Sequence, residues 1–462
     1  MLSPEKSMLL QSFLRGLPEK SAAQLAMAVE VDRLSGGTLL PHELILDALR
    51  PSLRPRRQRT PTPLRLFCRP FEDLLVPVTP TEKQKGRIAR TSLAPLWRWL
   101  SQTLYREATA LYCSEINMLI AAGKPDAIIA RASLFWTQAA KEIREAIIVD
   151  RNAARAALQS DLALADAQEM ALLLSVGLEI ARIQKLLVKP AQQLTDEMLR
   201  ALREIHDRVA AATPDAAPYV ACIAMNRLVH PWEALKLPLL VTRQTQDALI
   251  SNTDMGLVGD LLFADLERHA AALRTARHPS FDADALVDNL ARFAILSSNI
   301  TKEIGMRRDG KWGKRLLADR AAVAETMEGL MAHAPKEIFA MLPVQKSGSY
   351  GGGPKCADLT RPVDGEKAGR GLRYGELLAR CEPYAAMASF GAAQKDAMDE
   401  VSQYLRSYNE DIIKEMCAPA GERHPAVERQ FELAAELTAM IFSAEEADLL
   451  RRRGKAALSV AA

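Results

Sequence analysis

Ile128-Ile-Ala-Arg-Ala-Ser-Leu-Phe-Trp-Thr-Gln-Ala-Ala-Lys-Glu-Ile-Arg-Glu-Ala-Ile147 decides the fold class. Ile128, Ala132, Phe135, Ala139, Ile143 and Ile147 recur at intervals of 4, 3, 4, 4 and 4 residues, while Lys141, Arg144 and Glu145 fall largely off that line. Side chains so spaced stack on one face of a helix turning every 3.6 residues; a strand would scatter them over both of its faces. The same period recurs on either side. Upstream, Trp97, Leu100, Leu104, Leu111 and Leu119 lie on neighbouring turns behind a cap at Ser92. Downstream, Thr195 caps a helix with Met198, Leu202, Ile205 and Val209 on one face, and Asp282 caps one carrying Leu286, Leu290, Phe293, Ser297, Ile300 and Ile304. Leu316, Val323, Met327 and Leu330 repeat the pattern. Met170 to Val188 is apolar almost all round its first half, which places it near the centre of a bundle.

No stretch alternates as a half-buried strand would. Val76-Pro-Val-Thr-Pro80 is too rich in proline for a central strand, and Leu237 to Thr242 is short. No repeat of the solenoid kind is visible. The fold class is therefore all-α: an irregular multi-helix bundle or helical array with a small N-terminal helical head and long Pro/Arg-rich and Gly-rich loops.

Five segments are expected along the 462 residues. Residues 1–50 form the head, with Leu14, Val29, Ile45 and Leu49 among its apolar positions, and a head this small is expected to dock on the body. Residues 51–91 form a linker, since Pro51, Pro55, Pro61, Pro63, Pro70, Pro77 and Pro80 each bar a helix from running through. Residues 92–342 form the main bundle, with a subdivision near 230–242 at His230-Pro-Trp232 and Pro238. Residues 343–375 hold eight of the 23 glycines, a density read as a long mobile loop. Residues 376–462 supply terminal helices, one with Met398, Val401, Leu405, Tyr408 and Ile412, another with Val427, Phe431, Ala434 and Ile441.

Charge is distributed unevenly. Between Arg50 and Arg90 eleven Arg or Lys face three acids, a local charge of +8, whereas the whole chain carries +3. The remainder thus sums to −5, and the basic character is local. The six cysteines are scattered, without a paired ligand spacing, which reads as reduced thiols in a cytoplasmic protein. Glu5, Lys6, Arg15 and Glu19 interrupt any export signal, and no run of about 18 apolar residues suits a membrane span.

The usual chemical signatures are missing. Gly348-Ser-Tyr-Gly-Gly-Gly-Pro-Lys355 superficially suggests phosphate binding, but proline precedes the lysine, Cys356 stands where Ser or Thr belongs, and no strand leads in. Glu204/His206, Glu267/His269 and Glu422/His424 have one intervening residue, which sends the two side chains to different helix faces. His333 and Glu337 are four apart but Pro335 lies between them, and Asp282, Asp284 and Asp288 suit a helix start. No metal, cofactor or catalytic set is assigned.

Two basic clusters stand as candidate contacts for a partner or an anion. One is Arg54, Arg56, Arg57 and Arg59, backed by Arg65 and Arg69, all able to present bidentate donors from a non-helical backbone. The other is Arg307, Arg308, Lys311, Trp312, Lys314 and Arg315, where tryptophan between Gly310 and Gly313 serves either as a recognition turn or as the plug of a helix junction. The expected function is a non-enzymatic cytoplasmic scaffold or regulator that binds another protein, with a homo-oligomer compatible. The alternatives are a nucleic-acid or anionic-membrane binder working through residues 54–69, and an enzyme with an interhelical pocket that the sequence does not reveal.

Overall fold

The computed structural model describes residues 62–242, 253–306, 308–346, 355–358, 363–417 and 427–460, with scattered positions between 14 and 49. It is 81% helical, and its four named strands are two or three residues long, so the chain is all-α. In chain order come α1 (Pro63–Cys68), β1 (Leu75–Val76), β2 (Ile88–Ala89), α2 (Leu93–Trp99), α3 (Arg106–Ala121) and α4 (Pro125–Val149). There follow α5 (Arg151–Leu158), α6 (Asp161–Ser175), α7 (Gly177–Leu186), α8 (Asp196–Ala212), α9 (Pro218–Met225) and α10 (Lys236–Thr242). Longer helices dominate after that: α11 (Leu257–Arg274), α12 (Ala283–Glu303), α13 (Lys311–Met341), the pair β3 (Val344–Lys346) and β4 (Lys355–Ala357), then α14 (Gly365–Arg380). The last are α15 (Glu382–Ala385), α16 (Gly391–Met416), α17 (Val427–Ile441) and α18 (Ala444–Val460).

The chain divides into two compact units, Met1–Cys68 with Arg106–Phe135, and Arg69–Tyr105 with Trp136–Ala462. In the first, Tyr112 of α3 stacks on Phe135 of α4 at 4.0 Å, and Phe67 of α1 meets Phe135 edge-on at 6.1 Å. The Tyr112 hydroxyl donates to the Pro63 carbonyl, 3.0 Å away, and Arg131 pairs with Glu115. Leu14, Val29, Ile45, Ala48 and Leu49 make a small apolar cluster, as the head's periodicity requires.

The second unit contains two helices that are mostly or wholly buried. Every residue of α9 is buried, and nine of α6 are. The helix is interrupted at Val176, and Gly177 lies so close under Trp136 and Pro70 that a Cβ there would stand 2.7 Å from the indole. The expected caps at Thr195 and Asp282 form, their side chains accepting from the amides of Met198 and Ala285. Ser92 does not cap α2; its hydroxyl is drawn instead to Asp166 at 2.6 Å.

Two expectations are corrected. The stretch 51–91 is not an open linker from Pro63 on. Pro63 begins α1, which ends before Pro70, and a 3-10 turn over Arg69–Leu74 then leads to β1, paired in parallel with β2 through Leu75↔Ile88. Apolar burial holds this segment down, with Phe71, Ile88 and Ala89 fully buried. The stretch 343–375 is not one long loop either. Val344↔Ala357 starts an antiparallel pair, and α14 begins at Gly365 despite carrying Gly369, Gly371 and Gly375. Packing overrides propensity here: a Cβ on Gly371 or Gly375 would stand 2.8 Å from Met341 or 2.5 Å from Leu437. Residues 347–354 and 359–362 lie outside the described residues.

Candidate functional site

The basic stretch must be judged first by where its charges go. Asp166 and Glu169, three apart on α6 and both buried, receive Lys83 Nζ at 2.5 Å each. Glu169 also accepts from the Gly86 amide at 2.6 Å and the Tyr219 hydroxyl at 2.5 Å; Asp166 accepts from the Ala89 amide and Ser92. Burial, followed by the charge of Glu169, drives the Tyr219 pKa far above its ordinary value, so the phenol is a neutral donor. Two carboxylates thus gather five donors from 83–92 and from α9. Arg87 reaches Asp265 at 2.7 Å, and Arg69 Nε donates to Gln184 at 2.8 Å.

Lys83 and Arg87 are thereby matched by acids of α6 and α11, while Arg69 is held by a neutral amide. Arg54, Arg56, Arg57 and Arg59 lie outside the described residues. Arg65 is exposed on α1, and Arg69 is half-buried and spent on Gln184. Of Arg65 and Arg69, only Arg65 is exposed.

The second cluster is largely an internal junction. Trp312 is fully buried at the start of α13, its ring 5.7 Å from that of Phe263, and its Nε1 donates to Asp260 at 2.8 Å. Gly259 is the reason it fits, since the indole occupies the space where any Cβ would be. Lys311 binds Asp260 at 3.0 Å, and Arg315 binds Glu267 at 3.2 Å while lying over the Phe263 ring. Trp312 is therefore a plug and not a recognition turn. Arg308 and Lys314 are exposed, and Arg307 lies outside the described residues.

A different cluster, which the sequence did not reveal, surrounds His278. It sits on the connection between α11 and α12, and its ring stacks on His333 of α13 at 4.1 Å with the planes 4° apart. His278 Nδ1 lies 3.0 Å from the Tyr374 hydroxyl of α14, and Nε2 lies 3.7 Å from Glu337. Glu337 in turn accepts from Arg370 Nε at 2.9 Å. So His333 and Glu337 do share a helix face, because α13 runs from Lys311 to Met341 with Pro335 inside it. Packing on α11, α14 and α16 supports that helix along its length, which offsets the hydrogen bond that proline lacks.

Beside the ring pair opens a cleft of about 620 Å³ bounded by Arg274, Arg277, Thr326, Gly329 and Glu325. Arg274 is 3.6 Å from Asp319, and Arg277 Nη1 donates to the carbonyls of Arg274 and Ala276. Burial, then the neighbouring His278 and Lys336, lowers the His333 pKa; burial and Glu337 push that of Tyr374 up to about 12. The arrangement is rich in donors and holds a neutral phenol against an imidazole. Among the described residues no group of three or more His, Cys, Asp or Glu is placed to hold a metal ion.

Among the described residues the other histidines pack or pair locally: His42 with Asp32, His230 against Trp232, His206 beside Asp207, His269 Nδ1 on Asn289 at 2.9 Å. No helix among the described residues is long and apolar enough to cross a membrane. Comparison with family models, curated proteins and solved structures finds no match to this chain, so its own residues carry any functional reading.

Proposed function

We propose that this chain is a non-enzymatic cytoplasmic scaffold or regulator that binds another protein, and that the outward face of α3 is where it does so. One observation supports this reading. Leu111, Ser114, Met118 and Ala121 follow one another at 3-4-3 spacing, all are exposed, and none is charged. Leu111 and Met118 are 56% and 62% exposed, and Leu134 on α4 is 65% exposed. Single exposed apolar residues are ordinary on a protein surface; Leu111, Met118 and Ala121 in one uncharged stripe of a helix suit the groove or helix of a partner.

The test is a photo-crosslinking residue at Ser114 in the full chain, expressed in its native host. A discrete adduct that disappears in Leu111→Asp/Met118→Asp, while that double variant keeps the wild-type melting temperature, supports the reading. Absence of an adduct, or an adduct indifferent to the two substitutions, overturns it.

A second reading, binding to nucleic acid or an anionic membrane, is favoured by the open face of Arg65 and by the charge of Arg54, Arg56, Arg57 and Arg59. Replacing those last four by alanine then flattens the dependence of binding on salt. An unchanged slope removes that reading.

A further inference from the structure

We propose that the cleft between the α11–α12 connection and α13 binds a small molecule through an oxyanion, a phosphate or a carboxylate group, held by Arg277 together with the His278/His333 pair. This stands independently of the partner surface on α3. A volume of about 620 Å³ is of the size that takes a metabolite.

The donors facing the cleft are more numerous than the acids that could satisfy them. Arg277 bonds only to carbonyls, so among the described residues its guanidinium charge is unmatched. His333 has a stacking partner but, among the described residues, no hydrogen-bond partner for either ring nitrogen. The acids close by are already engaged: Glu337 with Arg370 and His278, Asp319 with Arg274. Glu325 is the exception. It is exposed at the rim and would repel an anion, which places the oxyanion at the Arg277/His333 end.

The ring stack adds a dependence on pH. Two imidazoles at 4.1 Å do not both take a proton cheaply, and an oxyanion beside them offsets that repulsion. The charged and titratable groups facing the pair are Arg274 at the end of α11, Arg277 on the connection, Glu325, Lys336 and Glu337 on α13, and Arg370 and Tyr374 on α14. Binding should therefore tighten as pH falls through the imidazole range.

The experiment titrates the full chain with inorganic phosphate and, separately, with citrate, following the histidine ring protons by NMR at about pH 6 and pH 8. His278→Asn and His333→Asn assign the two resonances. The expected result is a saturable shift of both, tighter at the lower pH, weakened roughly tenfold in Arg277→Ala and strengthened in Glu325→Gln. A response to phosphate alone assigns a phosphate ligand, and a response to citrate alone a carboxylate. Neither probe moving the two resonances, or a shift that Arg277→Ala leaves unchanged, overturns the proposal.

Discussion

Arg227 lies 154 positions from Asp73, and its Nη1 reaches both carboxylate oxygens at 3.0 and 2.8 Å. Both residues are buried, and the same guanidinium donates to the carbonyls of Leu187 and Gln184. This pair fastens the 3-10 turn after α1 to the far end of α7 and α9. Arg227→Met leaves a buried carboxylate with only Gln184 and Lys189 nearby and should cost about 3–5 kcal/mol in urea unfolding. Asp73→Leu combined with Arg227→Met should cost less than Arg227→Met alone, because no unmatched charge remains. Equal losses would mean that the Arg227 carbonyl bonds, and not the ion pair, matter.

Two glycines in regular helix should respond oppositely to alanine. At Gly259 the added methyl meets the Trp312 indole, which is fully buried and cannot retreat, so overpacking of roughly 1–3 kcal/mol outweighs the gain in helix propensity. At Gly329, in the middle of α13, nothing stands within 4 Å of the added atom, and alanine should stabilise by about 0.5–1 kcal/mol. Melting curves of Gly259→Ala and Gly329→Ala check both signs. Tryptophan fluorescence should change only in the first.

What the sequence disclosed follows from which signals are local. The stripe from Ile128 to Ile147 is periodic, and all of its six positions are buried. Thr195 and Asp282 were readable as caps because a cap depends on residues three apart. Charge partners were not readable. Lys83 meets Glu169 86 positions away, and Arg87 meets Asp265 across 178, so the stretch looked like an unpaired basic strap. His278, His333 and Tyr374 come from three elements, and Pro335 disguised the helix that joins His333 to Glu337. The glycines of α14 misled for a related reason: they answer to Met341 and Leu437, which sequence proximity does not place beside them.

Stability should fall as the solution is acidified from neutrality. Burial, the first cause, lowers the His269 pKa below its ordinary 6.5, with Arg268 and Arg292 adding and the Asn289 bond opposing. His333 shifts in the same direction. Each is held neutral in the fold, so the unfolded chain binds the more protons, and the stabilisation present above pH 6.5 is lost as pH drops through the lowered folded values. Asp319 acts oppositely and at lower pH, since burial and then Glu267 raise its pKa from 3.8. Urea midpoints between about pH 7.5 and 5.5 should decline for the native chain and decline less for His269→Gln. A flat profile in the native chain would show that neither imidazole is held neutral.

Thiol labelling should separate the cysteines by burial. Cys222 is fully buried in α9, where burial and then the charge of Glu169 drive its pKa well above the ordinary thiol value; Cys381 is fully buried and pushed up to about 12, again chiefly by burial. The thiolate is the reactive form, so both should resist maleimide at neutral pH in the native chain and react once urea unfolds it. Cys417, exposed just beyond α16, should label in the native state. Peptide mapping before and after denaturation reads this directly. Early labelling of Cys222 would be the more informative failure: α9 is buried at every residue, so a reagent could reach that thiol only if the helix opened without the rest of its unit.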